Sequence, residues 1–242
     1  MLNRRALDRE AHLWYLRPEN VSHSDFRRCE TWLTADERRV VETFRTTGDR
    51  RDRLCTKALT RSMLSAYTGV APGAWRFGID HHGKPIVQSP LAFRHIRFSV
   101  SHTRGLIACL LSTGRAVGVD VEAVDRPIGW LNIGTRSFTA TEMSALQRRS
   151  PREQQMRFFE LWTLKESYAK ARGLGLRIPL DGTSFALDVD RRVSVSFSGS
   201  VSDDSRRWSF ALDTTGTHVM AAAIAEPDVR VVCHATSSSE LA

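Results

Sequence analysis

Cysteine is sparse and scattered in this chain: Cys29, Cys55, Cys109 and Cys233 form no C-x-x-C pair and have no histidine-rich neighbours. That excludes the spacing of a zinc site and points to reduced thiols in a cytosolic protein, not a disulfide framework. Long apolar runs are also missing, since none approaches the roughly 20 residues that span a bilayer. The opening MLNRRALDRE is too charged for the apolar core of a signal peptide. The expectation is a soluble, cytoplasmic protein without a membrane partner. No Walker-type glycine loop occurs, which counts against the common nucleotide kinases. Acidic residues are in deficit, with 27 Asp and Glu against 35 Lys and Arg, so the formal charge is +8 and an anionic partner is implied. The basic stretch from Arg45 to Arg53 carries no aromatic beyond the preceding Phe44. Stacking platforms for bases are therefore absent there, and nucleic acid is not expected as the partner.

What is present begins with a hydrophobic fraction of 41%, enough for a real core, over 242 residues that suit one large domain or two fused halves. His12 to Leu16 reads as a strand. Leu33 to Phe44 reads as a helix opened by the capping pattern of Thr34 and Glu37. A longer helix follows over about Asp49 to Tyr67, closed by Gly69, Pro72 and Gly73. Trp75 to Val87 reads as strand, turn, strand, with the turn at Gly83 and Pro85; His95 to Thr103, Leu106 to Thr113 and Ala116 to Val124 read as three further strands. Thr139 and Glu142 then repeat the capping pattern 105 residues after Thr34 and Glu37. The helix expected over Arg157 to Leu176, closed by Gly173 and Gly175, matches the long helix of the first half. Arg206 to Ala225 echoes the strand pair of the first half. The pattern predicts an α+β protein made of a pseudo-two-fold duplicated subdomain, each copy with a small antiparallel sheet and a long helix. The subdomains are expected at 1–112 and 113–242, linked near Ser112 to Arg115, with the polar HATSSSELA tail frayed.

Three clusters carry candidate chemistry. Asp120 and Glu122 lie two apart on a predicted strand, so both carboxylates point to one face, with Val119 and Val121 turned the other way into a core. Two adjacent carboxylates repel, and a divalent cation such as Mg²⁺, which takes one or two protein carboxylates plus phosphate, relieves that cost. The same spacing also occurs on plain solvated sheets. Glu166 and Lys170, four apart beside Trp162, share a helix face; by themselves they fit an exposed ion pair equally well. Lys165 borders the apolar stripe of Phe158, Leu161, Leu164, Tyr168 and Ala171, where a snorkelling stem is the ordinary reading.

Taken in order, Gly83-Lys84-Pro85, Val100-Ser101-His102, Gly118-Val119-Asp120-Val121-Glu122 and the stretch Trp162 to Lys170 resemble the motifs of the Sfp-type 4′-phosphopantetheinyl transferases. The resemblance runs from about Leu33 to about Leu187. It implies transfer of phosphopantetheine from coenzyme A to a serine of an apo acyl or peptidyl carrier protein, with release of 3′,5′-ADP. It further implies Mg²⁺ held by Asp120, Glu122 and Glu166, and Glu166 as base for the serine, directly or through a metal-bound water. Lys170 would stabilise the leaving phosphate and Lys165 would reach phosphate too. Coenzyme A would be bound by Lys84, Ser101, His102, Asp120, Lys165 and Lys170, with Arg45 or Arg51 as the first-half arginine, because Asp52 stands where some members carry it. The family also implies a monomer with the active site between the halves. The net positive charge would steer the acidic carrier, and Ile128, Trp130, Leu131 and Ile133, expected in a connecting loop, are candidates for the apolar part of that contact. A Mg²⁺-dependent hydrolase using the same carboxylates is the alternative enzyme.

Overall fold

The computed structural model describes residue 2 and residues 4–241 of the chain. It divides into two compact units, residues 1–114 with 230–242, and residues 115–229.

The first unit contains β1 (Glu10–Leu16), α1 (His23–Glu30), α2 (Ala35–Glu42), α3 (Thr47–Thr68), β2 (Arg76–Ile79), β3 (Pro85–Ser89), β4 (Ile96–Thr103) and β5 (Leu106–Thr113). The second runs β6 (Val117–Ala123), α4 (Trp130–Ser137), α5 (Ala140–Gln147), α6 (Pro151–Arg172), β7 (Thr183–Leu187), β8 (Val193–Phe197), β9 (Ser209–Thr215) and β10 (His218–Ile224). The two successions are the same: one strand, three helices, a hairpin, then two strands. Sheet order repeats as well, with β1-β5-β4 in one unit and β6-β10-β9 in the other, while β2-β3 and β7-β8 form separate hairpins. The duplicated α+β architecture expected from the sequence is thus the observed one.

Both predicted capping boxes form. The Thr34 hydroxyl accepts the Glu37 N–H and the Glu37 carboxylate accepts the Thr34 N–H; Thr139 and Glu142 do the same. The two long helices are each 22 residues and each end on a glycine in the left-handed region, Gly69 at φ 73° and Gly173 at φ 69°. The second begins six residues before the expected Arg157. Ser150, Pro151 and Glu153 are its start signal, with the Ser150 N–H donating to Glu153 at 3.0 Å.

The C-terminal residues depart from expectation. The expected boundary placed them in the second half, with a frayed tail. Instead β11 (Arg230–Ala235) pairs with β1, in parallel, from Glu10 opposite Arg230 to Tyr15 opposite Ala235. Leu241 is fully buried in the core of the first unit. The first sheet is therefore four-stranded, in the order β11-β1-β5-β4, and not purely antiparallel. Ile128 to Ile133 is likewise not a simple loop, since Trp130 opens α4. No helix is long and apolar enough to cross a membrane among the described residues.

Each unit has its own core. In the first, α3 buries Leu54, Ala58, Leu59, Met63 and Leu64 against Ile107, Cys109 and Leu111 of β5. In the second, α6 buries Phe158, Leu161, Leu164 and Tyr168 against Val219, Ala221 and Ala223 of β10. Those β10 residues stand opposite Glu122, Asp120 and Gly118. The face of β6 that carries the carboxylates is therefore the face that α6 covers. Val119 and Val121 are buried on the opposite face, as expected, so β6 is covered on both faces.

Candidate active site

Gly118 explains how α6 reaches β6. A Cβ on Gly118 would stand 2.0 Å from the Ser167 carbonyl oxygen and 2.4 Å from the Ala171 nitrogen. Only glycine lets the helix backbone lie that close to the strand. This contact brings the Glu166–Lys170 face beside Asp120 and Glu122. Lys170 Nζ donates to Asp120 Oδ1 at 2.7 Å. Trp162 Nε1 donates to Glu122 Oε1 at 3.3 Å, and Arg126 Nη1 donates to both Glu122 oxygens at 2.9 and 3.1 Å. Asp120 and Glu122 are nearly buried, Glu166 and Lys170 half-buried.

The electrostatics are those of crowded carboxylates. Burial pushes the Glu166 carboxyl up to about 7; Asp120 and Glu122 add to the rise and Lys170 opposes it. Glu122 is raised in the same way, by burial and then by Asp120, with Arg126 and Trp162 opposing. As the side chains are placed, two cations, Lys170 and Arg126, neutralise two of the carboxylates. Among the described residues no three of His, Cys, Asp and Glu converge as a ready metal cluster. The donor chemistry still fits a hard cation such as Mg²⁺. Asp120 and Glu122 act on the Glu166 carboxyl through their charge, and Mg²⁺ needs few protein ligands when a phosphate supplies the rest.

Lys165 does not belong to this group. It is fully buried, its ammonium ion-paired with Glu142 at 2.9 Å and donating to the Leu180 and Thr183 carbonyls, the former at 2.8 Å. The expectation that it reaches phosphate is overturned, because three acceptors already satisfy its three protons.

In the first unit, Lys84 sits half-buried in the hairpin turn, where Asp80 Oδ1 accepts the His82 and Lys84 N–H groups at 2.8 and 2.9 Å. Gly83 supplies the positive φ of 79° which that turn requires. Burial pulls the Lys84 ammonium below its usual value; Asp80 opposes and Arg97 adds to the fall. Ser101 is buried and His102 exposed, as alternation along β4 demands. Arg51 is engaged within the unit, donating to the Pro18 carbonyl at 2.9 Å and to the Val21 carbonyl, so it tethers α3. Arg45 is exposed. A cavity of about 180 Å³ beside the turn is lined by Arg53, Lys57, Arg61, Glu37, Pro85 and Val100. Reasoning from sequence overlooked Arg126, which follows β6 in a loop where no helical spacing links it to Glu122. It also overlooked Lys57, which lines the cavity with Arg53 and whose signal was its four-residue spacing from Arg53 on α3.

Residues 116–223 match the model of the 4′-phosphopantetheinyl transferase superfamily, and residues 19–113 match that of the 4′-phosphopantetheinyl transferase N-terminal region. A 4′-phosphopantetheinyl transferase of Bacillus subtilis is 32% identical over 179 residues, covering 74% of this chain and 76% of its own. The 4′-phosphopantetheinyl transferase HetI of Nostoc sp. is 32% identical over 70% of this chain and 71% of its own. The 4′-phosphopantetheinyl transferase Sfp of Bacillus subtilis strain 168 is 31% identical over 72% and 75%. With both units matched and relatives at this identity spanning most of their length, the chain belongs to the 4′-phosphopantetheinyl transferase family. It is a transferase of the phosphopantetheine group, the enzyme class that the motifs implied.

Proposed function

We propose that the enzyme takes phosphopantetheine from coenzyme A, places it on a serine of an apo acyl or peptidyl carrier protein, and releases 3′,5′-ADP. The observation that carries this is the set of Asp120, Glu122, Glu166 and Lys170 on facing surfaces of β6 and α6, with the Glu166 carboxyl raised to about 7. A carboxylate placed beside the reacting groups is well suited as a base, directly or through a metal-bound water. Glu166 takes the serine hydroxyl proton as the serine oxygen bonds to the pantetheine-side phosphorus. The phosphorus–oxygen bond to the 3′,5′-ADP phosphate breaks, and Lys170 faces the charge that collects there. Lys170 is shared with Asp120 and so is held ready at a fixed place. Asp120, Glu122 and Glu166 would hold Mg²⁺, which supplies charge neutralisation for the pyrophosphate.

For the nucleotide end we assign Lys84, Ser101 and His102, with Arg45 or the cavity-lining Arg53 as the first-unit arginine. The positive net charge supports an acidic carrier as partner, not nucleic acid, and we take the enzyme to act as a cytoplasmic monomer. The test is the intact mass of apo carrier proteins after incubation with enzyme, coenzyme A and Mg²⁺, beside reactions containing EDTA or the Glu166→Gln enzyme. A gain of one phosphopantetheine, lost in both controls, is the expected result. No gain on peptide-synthetase, polyketide and fatty-acid carriers would refute the reading. Release of 3′,5′-ADP without any carrier would favour a hydrolase.

A further inference from the structure

We infer that Lys165 is a positioning residue, which sets the rotation of α6 about its own axis and thereby aims Glu166 and Lys170 at the β6 carboxylates. The inference rests on the transferase reading for its consequence in catalysis, but its geometry stands alone.

Successive residues of an α-helix are about 100° apart around the axis. Glu166 and Lys170 therefore occupy one side of α6. Ser167 and Ala171, the positions that meet Gly118, lie next to it on one flank, and Lys165 lies on the other. The Gly118 contact is backbone against backbone. Such a contact sets how close helix and strand come, and the apolar face of α6 against β10 limits rotation through packing, which has no fixed direction. Lys165 adds a directional tie. Its ammonium is held by Glu142 of α5 and by the carbonyls of Leu180 and Thr183, three anchors outside α6. Glu142 is itself fixed: it accepts the Thr139 N–H at 2.8 Å and the Phe185 N–H of β7 at 2.8 Å. Both partners are sealed from water, with side-chain exposures of 0% and 2%. A charged pair is an expensive way to fill a core, and the best-attested gain from such a pair is a uniquely specified arrangement. Here the arrangement specified is the phase of the helix that carries the neighbouring catalytic carboxylate.

Trp162 offers a direct reading of that phase, because its indole joins α6 to Glu122 of β6. The experiment labels the full chain with 5-fluorotryptophan, assigns the Trp162 resonance with Trp162→Phe, and compares Lys165→Met with Leu146→Ala in the absence of substrate. Leu146 is a buried apolar residue of α5 with no polar tie to α6, so its truncation loosens the same core without touching the anchor. In parallel, kcat and the KM for coenzyme A are measured with an apo carrier. Lys165→Met is expected to move the Trp162 resonance and to lower kcat by about tenfold or more, as a small misplacement does, with KM for coenzyme A nearly unchanged. Leu146→Ala is expected to leave both readouts close to the parent while it remains folded. A folded Lys165→Met enzyme with the parental resonance and kcat would overturn the inference. So would a Leu146→Ala enzyme that reproduces both changes. If Lys165→Met does not fold, Glu142→Gln, which keeps the side-chain volume, is judged by the same two readouts. Failure of the parent enzyme on every carrier would sink the transferase reading, and the fluorine spectra would still decide the positioning role.

Discussion

The two units solve one structural problem twice, and only one of them turns the solution into chemistry. In each, a capping-box glutamate reaches from a short helix to a cation on the long helix. Glu37 meets Arg61 at 2.6 Å in the first unit, and Glu142 meets Lys165 at 2.9 Å in the second. Arg61 also lies over the Phe77 ring, and Glu37 keeps 17% exposure and a second partner in Lys57. Lys165 likewise lies over a ring, that of Phe138, and both cations are buried; the difference is that Glu142 is sealed as well. The residue after the cation differs too: Ser62 is buried in the first unit, while Glu166 faces two more carboxylates in the second. The repeated fold is thus a shared scaffold, and the carboxylates of β6 with Glu166 and Lys170 on α6 make the second unit the candidate catalytic half.

The sharpest way to break this comparison is to remove that glutamate. Glu166→Gln should lower the transfer rate by roughly 10²–10⁴-fold, the usual contribution of a general base, while Ser62→Ala leaves it unchanged. Carrier modification followed by mass spectrometry reads both. Next come the two buried pairs. Lys165→Met leaves the Glu142 charge stranded in the core and should cost about 3–5 kcal/mol. Glu37→Gln, which keeps an amide oxygen to accept from the buried Arg61, should cost less, about 1.5–3 kcal/mol. Urea unfolding monitored at both sites checks the order, and equal losses would mean that the pairs are equivalent after all. Gly118→Ala comes third. Its methyl group meets backbone on α6, and overpacking of this kind costs about 1–3 kcal/mol with a fall in kcat, since the helix must back away from β6.

The smallest effect has the opposite sign. A carboxyl whose folded pKa is raised from 4.5 to about 7 binds its proton more tightly in the folded state. Its contribution to stability is therefore lost as pH rises between those values, and the cost is complete above about 7. Without Mg²⁺ or coenzyme A, Glu166→Gln should consequently be more stable than the parent at pH 8, and the gain should vanish near pH 4. Thermal unfolding across that range tests the sign.

Much of this was legible in the chain itself, for local reasons. Thr34 with Glu37 and Thr139 with Glu142 announced their helices because a capping box is written within four residues. Asp120 with Glu122 and Glu166 with Lys170 could be placed on shared faces because the periods of strand and helix are fixed. What escaped depends on distant partners. β11 is a short segment whose strand identity comes from β1, some 220 residues away in sequence. Helix α1 buries little beyond Cys29 and so shows no apolar stripe. Lys165 was misjudged because its partners, Glu142, Leu180 and Thr183, lie outside its own helix, and a lysine at the edge of a stripe looks the same whether it reaches water or a buried carboxylate.

The parallel pairing of β11 with β1 has a consequence for the order of assembly. The second unit is threaded, in sequence, between β5 and the last strand of the first. During synthesis the first unit lacks one edge of its sheet and the Leu241 contact until residues 230–241 emerge. The second unit, whose pairings all fall within residues 117–224, can close earlier. Joining ends so far apart adds little to the free energy of closure but delays it. The unit that carries the candidate active-site carboxylates is thus free to fold before the unit that precedes it is finished.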